Sequence, residues 1–390
     1  MRKISANLVF PINQSPIPNG VVVVSDDGKI EEVLSSSDGL SDVEQYEGIL
    51  CPGFVNAHCH LELSHLKGVL PKHTGMVSFI RNIIEARKQE QLSLTALEDA
   101  DATMKENGIV AVGDICNNGS SFSVKSKSNI RYHNFIEVFG IVPGKAEEVF
   151  TAGLEIYKRS VVAGLSTSIV PHAPYTVSES LLEKIFSFGP NSIQPISIHN
   201  QESLPEDELF RKGSGSLAEF YNEIGLELDF FTPPGKSSLE WLSGLLPQGQ
   251  KLLLVHNTYT KAIEMKTAIG NSADLYWCLC PNANRYIENT LPELVLFEGL
   301  EDRVVIGTDS YASNDHLSVL DEIKTIQLQK PDLPLSLLLR WGCLNGAIFL
   351  GLESDLGSFE KGKYPGINLL ENVDYNTSLL TDNTKVVKLV

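Results

Sequence analysis

The chain has 390 residues, of which 42% are hydrophobic and 21% charged, with a formal net charge of −18. That length and balance fit a globular enzyme of one large or two smaller domains. The acidity and the lack of a long basic run argue against nucleic acid or an anionic membrane as partner. No apolar run nears the roughly 18 to 20 residues of a membrane span.

The first 24 residues hold Arg2 and Lys3 but no continuous apolar stretch, and Pro11, Pro16 and Pro18 interrupt them, so no secretory leader is expected. Residues 21–25 and 29–33 read as two strands joined at Asp26-Asp27-Gly28. Strands are expected next over 49–57, 109–116, 130–138, 165–171, 195–199, 251–256, 273–280 and 303–308. Helices are expected over 76–87 and 94–107, the second with Ser93 as N-cap and Gly108 as stop. Further helices follow over 180–188, 317–329 and 335–350, with Pro334 suited to the start of the last. Residues 362–370 and 385–390 read as strands again.

Alternating strands and helices imply a parallel sheet, and eight such units a (β/α)8 TIM barrel. The expected fold class is therefore α/β: a barrel over residues 50–355, flanked by a small β-sandwich from residues 1–49 and 356–390. The six cysteines, Cys51, Cys59, Cys116, Cys278, Cys280 and Cys343, show no CxxC and no zinc-finger spacing. Reduced thiols and a cytoplasmic location follow, with buried packing as the ordinary role of each.

Four of the apolar runs end on a residue type that binds metals. Asn-Ala-His-Cys-His (56–60) carries His58 and His60, Ile-Ser-Ile-His-Asn-Gln-Glu (196–202) carries His199, Leu-Leu-Val-His (253–256) carries His256, and Val-Val-Ile-Gly-Thr-Asp (304–309) carries Asp309. The two-residue spacing of His58 and His60 places both on one face of a strand. A barrel brings all four strand ends to one rim.

Three imidazoles (His58, His60, His199) with the Asp309 carboxylate suit one divalent metal, Zn²⁺ first and Fe²⁺ or Mn²⁺ as alternatives. An open coordination position on zinc would hold a water of pKa near about 7. Glu202, three residues past His199, is the candidate proton carrier. His256 is expected to orient and polarise the water, and Asp309 to pass a proton to the departing group. His172, after Ser-Ile-Val-Pro (168–171), is expected at the fourth strand's end against substrate. His65 lies near enough in sequence to line the mouth.

Pro-Gly-Phe-Val-Asn-Ala-His-Cys-His (52–60), Pro-His-Ala-Pro-Tyr-Thr-Val-Ser (171–178), Cys-Pro-Asn-Ala-Asn (280–284) and Gly-Thr-Asp-Ser-Tyr-Ala-Ser-Asn (307–314), with the segments of His199 and His256, resemble the amidohydrolase superfamily. Within it they are similar to the metal-dependent aminohydrolases: methylthioadenosine/S-adenosylhomocysteine, guanine, cytosine and aminofutalosine deaminases, and triazine hydrolases. The resemblance implies the metal set and the roles of Glu202 and His256 given above. It also implies a single metal, since the lysine that bridges two metals in binuclear members has no counterpart beside Ile169-Val170-Pro171-His172.

The resemblance further implies a hydrolytic deaminase releasing ammonia from an aminopurine-type base or nucleoside. Leu-Glu-Leu-Ser-His-Leu-Lys-Gly (61–68) is similar to aminofutalosine deaminases, with methylthioadenosine or S-adenosylhomocysteine next in order. It makes Glu62 a candidate substrate contact; Asn284 and Ser310, inside the shared motifs, are others. Triazine dechlorination, amide or cyclic ureide hydrolysis and a silent metal-binding scaffold are the competing readings. A small-molecule substrate is the expected partner, and a homodimer is considered by analogy with large barrels alone.

Overall fold

The apolar stretch expected as one strand over 49–57 is broken at Gly53. Before it, Val43–Pro52 belongs to a sheet built from both chain ends; after it, Phe54–Cys59 opens the central part. A Cβ at Gly53 would lie 2.3 Å from Val110 Cγ1 and 2.6 Å from the Pro365 carbonyl oxygen. Only a residue without a Cβ lets the chain change sheets in that space. The computed structural model describes residues 1–89, 93–189, 194–271, 274–374, 377 and 379–390. Ala273, the expected start of one strand, lies outside them.

Eight central strands follow one another: β1 (Phe54–Cys59), β2 (Ile109–Cys116), β3 (Arg131–Val138), β4 (Ser166–Pro171), β5 (Ile196–Asn200), β6 (Lys251–His256), β7 (Asp274–Leu279) and β8 (Val304–Ile306). They pair in parallel as two sheets, β1-β2-β3-β4 and β5-β6-β7-β8. Their Val, Ile and Leu runs are buried almost throughout, as strands covered on both faces require.

The two sheets meet at their C-terminal ends. At one seam His199 N donates to the His172 carbonyl at 2.9 Å. At the other, Thr308 N and Asp309 N donate to the His58 carbonyl at 3.0 and 3.1 Å, and Cys59 bridges Asp309. The seams thus run through the residues of the site. Cys278 and Cys280 share a face as expected, with their sulfurs 3.9 Å apart.

Several helices begin where a hydroxyl side chain can accept a free backbone N–H. Ser93, Ser178 and Ser318 accept from Ala96, Leu181 and Asp321 and start the helices Leu94–Glu106, Glu179–Ser187 and Val319–Gln329. The helix expected over 335–350 is interrupted: Leu335–Arg340 and Gly346–Leu350 flank a π-helical turn, Trp341–Asn345. The long helix Ala146–Val162 has no counterpart among the expected elements.

Strands from the two chain ends pair into one seven-stranded mixed sheet. Ile367–Glu371 runs antiparallel to Val43–Pro52 and to Lys385–Lys388, and Arg2–Val9 runs parallel to Val43–Pro52. Ile4, Val22, Val24, Leu50, Ile367 and Leu369 form its own apolar core. No helix among the described residues is long and apolar enough to cross a membrane.

Candidate active site

At the end of β1, where its register against β2 shifts between Asn56 and Cys59, His58 and His60 lie side by side, their Nε2 atoms 3.1 Å apart. His199 Nε2 comes from β5 to 3.3 Å from His60 Nε2. Asp309, just beyond β8, sets Oδ1 3.5 Å from His58 Nε2 and 3.2 Å from His60 Nε2. Zinc ligands at about 2.0–2.1 Å in a tetrahedron are separated by about 3.3–3.4 Å. The four side chains therefore form a site suited to a divalent metal ion.

Protonation states agree with that use. Burial, followed by the surrounding histidines, holds His199 well below the usual imidazole range, and burial outweighs Asp309 in doing the same to His60. His199 Nδ1 donates to the His172 carbonyl at 2.8 Å, which leaves the Nε2 lone pair for a metal. Burial works against ionisation of Asp309, yet its hydrogen bond with His58 and the neighbouring His60 and His256 keep its carboxyl well below the ordinary value. Ser313 Oγ donates to its other oxygen.

His256 ends β6 in the left-handed region, φ 75°. Asn284, on the helix Pro281–Glu288, holds it twice: Oδ1 accepts from Nδ1 at 2.9 Å, and Nδ2 donates to the His256 carbonyl at 3.4 Å. Burial pushes the His256 imidazole down to about 4. The ring is thus neutral at physiological pH, with the lone pair of Nε2 facing the site, 3.4 Å from Glu202 Oε1.

Burial, with Asp309, Glu206 and Glu288 adding negative charge, raises the Glu202 carboxyl well above its ordinary range. A carboxyl held proton-ready beside a neutral imidazole is suited to general acid–base work. Its backbone is held by Glu206, which accepts from Gln201 N at 3.2 Å and Glu202 N at 3.3 Å.

Above this floor opens a cavity of about 510 Å³, within the usual span for small-molecule sites. His172 and Ser310 line it with Glu202, His256, His60, His199 and Asp309. The wall is apolar: Phe79, Ile80 and Ile83 from the helix Met76–Gln89, with Phe139, Ile141 and Phe220 opposite.

Three of the expected substrate contacts do not line this cavity. Glu62 does not reach the cavity; its carboxylate accepts the backbone N–H groups of Asn117, Asn118 and Gly119 at 2.9, 3.2 and 2.9 Å, fixing the turn after β2. His65, on the same short 3-10 helix, does not line the cavity either. Asn284 stands behind His256 and positions it, without lining the cavity. Conversely, Glu137 on β3 lines the cavity and carried no motif to mark it; the only signal was one acid inside an apolar strand.

Comparison with known proteins agrees with this geometry. An aminodeoxyfutalosine deaminase of a Nitratiruptor species is 25% identical over 311 residues, spanning 78% of this chain and 73% of the relative. The crystal structure of Helicobacter pylori aminofutalosine deaminase in complex with methylthio-coformycin superposes with a TM-score of 0.79 at 22% identity, over 99% of this chain and 97% of that one. Atrazine chlorohydrolase from Arthrobacter aurescens, complexed with zinc, gives 0.75 at 16% identity over 99% and 93%. The amidohydrolase family profile matches residues 49–390, and the chain belongs to that family.

Proposed function

We propose that this protein is a mononuclear, zinc-dependent hydrolytic deaminase that releases ammonia from an aminopurine nucleoside, aminofutalosine first and methylthioadenosine or S-adenosylhomocysteine next. The observation that carries the reading is Glu202: a carboxyl whose pKa burial raises well above its ordinary range, 3.4 Å from a neutral His256 and beside four converging metal-type ligands. In this reading residues 50–355 form a (β/α)8 barrel, and the two chain ends its flanking β-unit.

His58, His60, His199 and Asp309 would hold the metal. When bound, zinc supplies Lewis acidity and a water that ionises near neutral pH. Glu202 would take a proton from the attacking water and deliver it to the ring nitrogen beside the amino-bearing carbon. His256, presenting a lone pair at Nε2, would accept a hydrogen bond from the water and aim it at that carbon, where the new C–O bond forms. Asp309 would take the remaining proton of the added hydroxyl and pass it to the amino group, so that the C–N bond breaks and ammonia leaves. His172 and Ser310 touch the substrate from the cavity wall.

The apolar wall supports a substrate with a large apolar part beyond the base, which favours nucleosides with an extended 5′ group over guanine or cytosine. The test is ammonia release by the zinc-loaded protein from aminofutalosine, S-adenosylhomocysteine, methylthioadenosine, adenosine, guanine and cytosine. One strong nucleoside signal, abolished by a chelator and restored by zinc, is expected. Chloride release from a chlorotriazine, with ammonia absent throughout, would move the chain to the competing triazine chemistry.

A further inference from the structure

We propose that Glu137 receives a ribose hydroxyl of the substrate, so that the chain selects ribonucleosides over their deoxy analogues and over free bases. The inference rests on the nucleoside reading above and adds the residue that enforces it.

Glu137 lies near the C-terminal end of β3, with buried Ile136 and Val138 beside it, and lines the cavity while only 6% exposed. Asn117 Nδ2 donates to Oε2 at 2.8 Å. Oε1 has no hydrogen-bond partner among the described residues. Among the described residues no lysine or arginine pairs with it; the nearest basic atom is His199 Nδ1 at 3.6 Å. That contact is too long for a hydrogen bond, and the proton on Nδ1 goes instead to the His172 carbonyl at 2.8 Å. A buried carboxylate oxygen left without a donor is costly, and a ligand that brings one recovers that cost.

Two kinds of ligand could do so. A second metal ion is one, since Glu137, His172 and His199 have ligand atoms within 4.8 Å of one another. The geometry argues against it. His199 has Nδ1 committed to a carbonyl and Nε2 turned to the first cluster. His172 has Nδ1 against Thr176 Oγ1 at 3.0 Å. One imidazole nitrogen and one carboxylate oxygen remain, too few to hold an ion.

The other kind is a hydrogen-bond donor on the substrate. With the amino-bearing carbon of a nucleoside at the metal site, the sugar is the next group outward, and its hydroxyls are the donors. The cavity lining also includes Phe139, Ile141, Val142 and Phe220, whose side chains accept no hydrogen bonds, with Arg87 and Lys145 as its cations. Glu137 is the carboxylate placed between base and apolar end.

The test compares adenosine with its 2′-deoxy, 3′-deoxy and 5′-deoxy analogues, by ammonia release and by calorimetric binding, on zinc-loaded wild type and Glu137→Gln. In the wild type, loss of the 2′ or the 3′ hydroxyl is expected to lower kcat/KM about 10- to 100-fold, the usual worth of a hydrogen bond to a charged group. Loss of the 5′ hydroxyl should change it little. In Glu137→Gln the gap should shrink to within about threefold, an energy below one ordinary hydrogen bond, with zinc content unchanged. Equal wild-type rates and affinities across the series overturn the proposal, whether or not the variant folds. So does a gap that persists in Glu137→Gln. If no nucleoside releases ammonia but binding still discriminates through Glu137, the sugar subsite stands and the deaminase reading falls.

Discussion

The first four central strands and the last four deliver their side chains to the same floor by different means. In the first sheet His58 and His60 sit two residues apart at the end of β1, where the register against β2 shifts between Asn56 and Cys59. In the second sheet the chain turns into the left-handed region at Gln201 (φ 45°), His256 (φ 75°), Asn257 (φ 56°) and Asp309 (φ 57°), just where the strands end. None of these is glycine, so each carries a backbone cost of about 1–2 kcal/mol. Local bonds hold them there: Gln201 Nε2 to Glu264, Asn257 Nδ2 to the carbonyls of Leu254 and Cys278, and Asp309 N to the His58 carbonyl.

The first sheet carries its burden as buried charge instead. Lys125 and Asp114 pair with no side-chain exposure at all, and Asp114 Oδ1 accepts from Leu61 N, the residue after His60, at 2.8 Å. One half thus aims its ligands with left-handed residues at the strand ends, and the other with an irregular strand end braced by a buried ion pair. Strain gathered at strand ends is what a functional rim is expected to show.

Substitutions can break this comparison at separate points. The largest effect is expected in the second half. Glu202→Gln should lower kcat by about 10²- to 10⁴-fold, the range for a lost general acid–base group, with metal content near normal. Unchanged turnover in that variant would remove Glu202 from the chemistry.

In the first half, Lys125→Met should destabilise the fold by about 3–5 kcal/mol, because it strands a buried carboxylate. Lys125→Met with Asp114→Leu should recover much of that loss. A single substitution that left the denaturation midpoint in place would show that the ion pair does not brace the sheet.

His133 adds a pH signature to the same half. It is buried between Ser166 Oγ and Ser168 Oγ, at 2.8 and 2.9 Å, and burial lowers its pKa from 6.5 to about 4. Between those values the unfolded chain binds the proton and the folded chain does not. The stability from this group is complete above 6.5 and is lost progressively as pH falls toward 4, by up to roughly 3 kcal/mol. Urea denaturation of His133→Gln across that window should give a flatter profile than wild type; identical slopes would contradict the assignment.

The smallest expected effect concerns positioning. Asn284→Ala should reduce kcat about 10- to 100-fold, as removal of a supporting hydrogen bond to a site imidazole does, with little change in folding stability. A normal kcat would mean that packing alone orients His256.

Much of the floor was legible because its residues end apolar runs. His58, His60, His199, His256 and Asp309 each follow such a run, and parallel strands force those ends together. Residues in turns were harder to place. Glu62 follows two ligands in sequence, yet the short 3-10 helix turns it onto the backbone of Asn117 to Gly119. Asn284 shares a motif with the site but serves it through His256. The break at Gly53 was hidden because residues on both sides are equally apolar; only the approach of Val110 and Pro365 reveals it.

Local pattern by itself determined the succession of eight strands and which metal-binding residue types stand at their ends, because periodicity and strand-end position are properties of the chain alone. Tertiary structure decided which carboxylates are free and which are committed. Glu62, Glu206 and Glu137 look alike in sequence. Backbone N–H groups occupy the first two, while the third keeps one oxygen without a partner beside the cavity. A hydrogen bond depends on the distance and direction of its partner, and those are set only when distant segments of the chain come together.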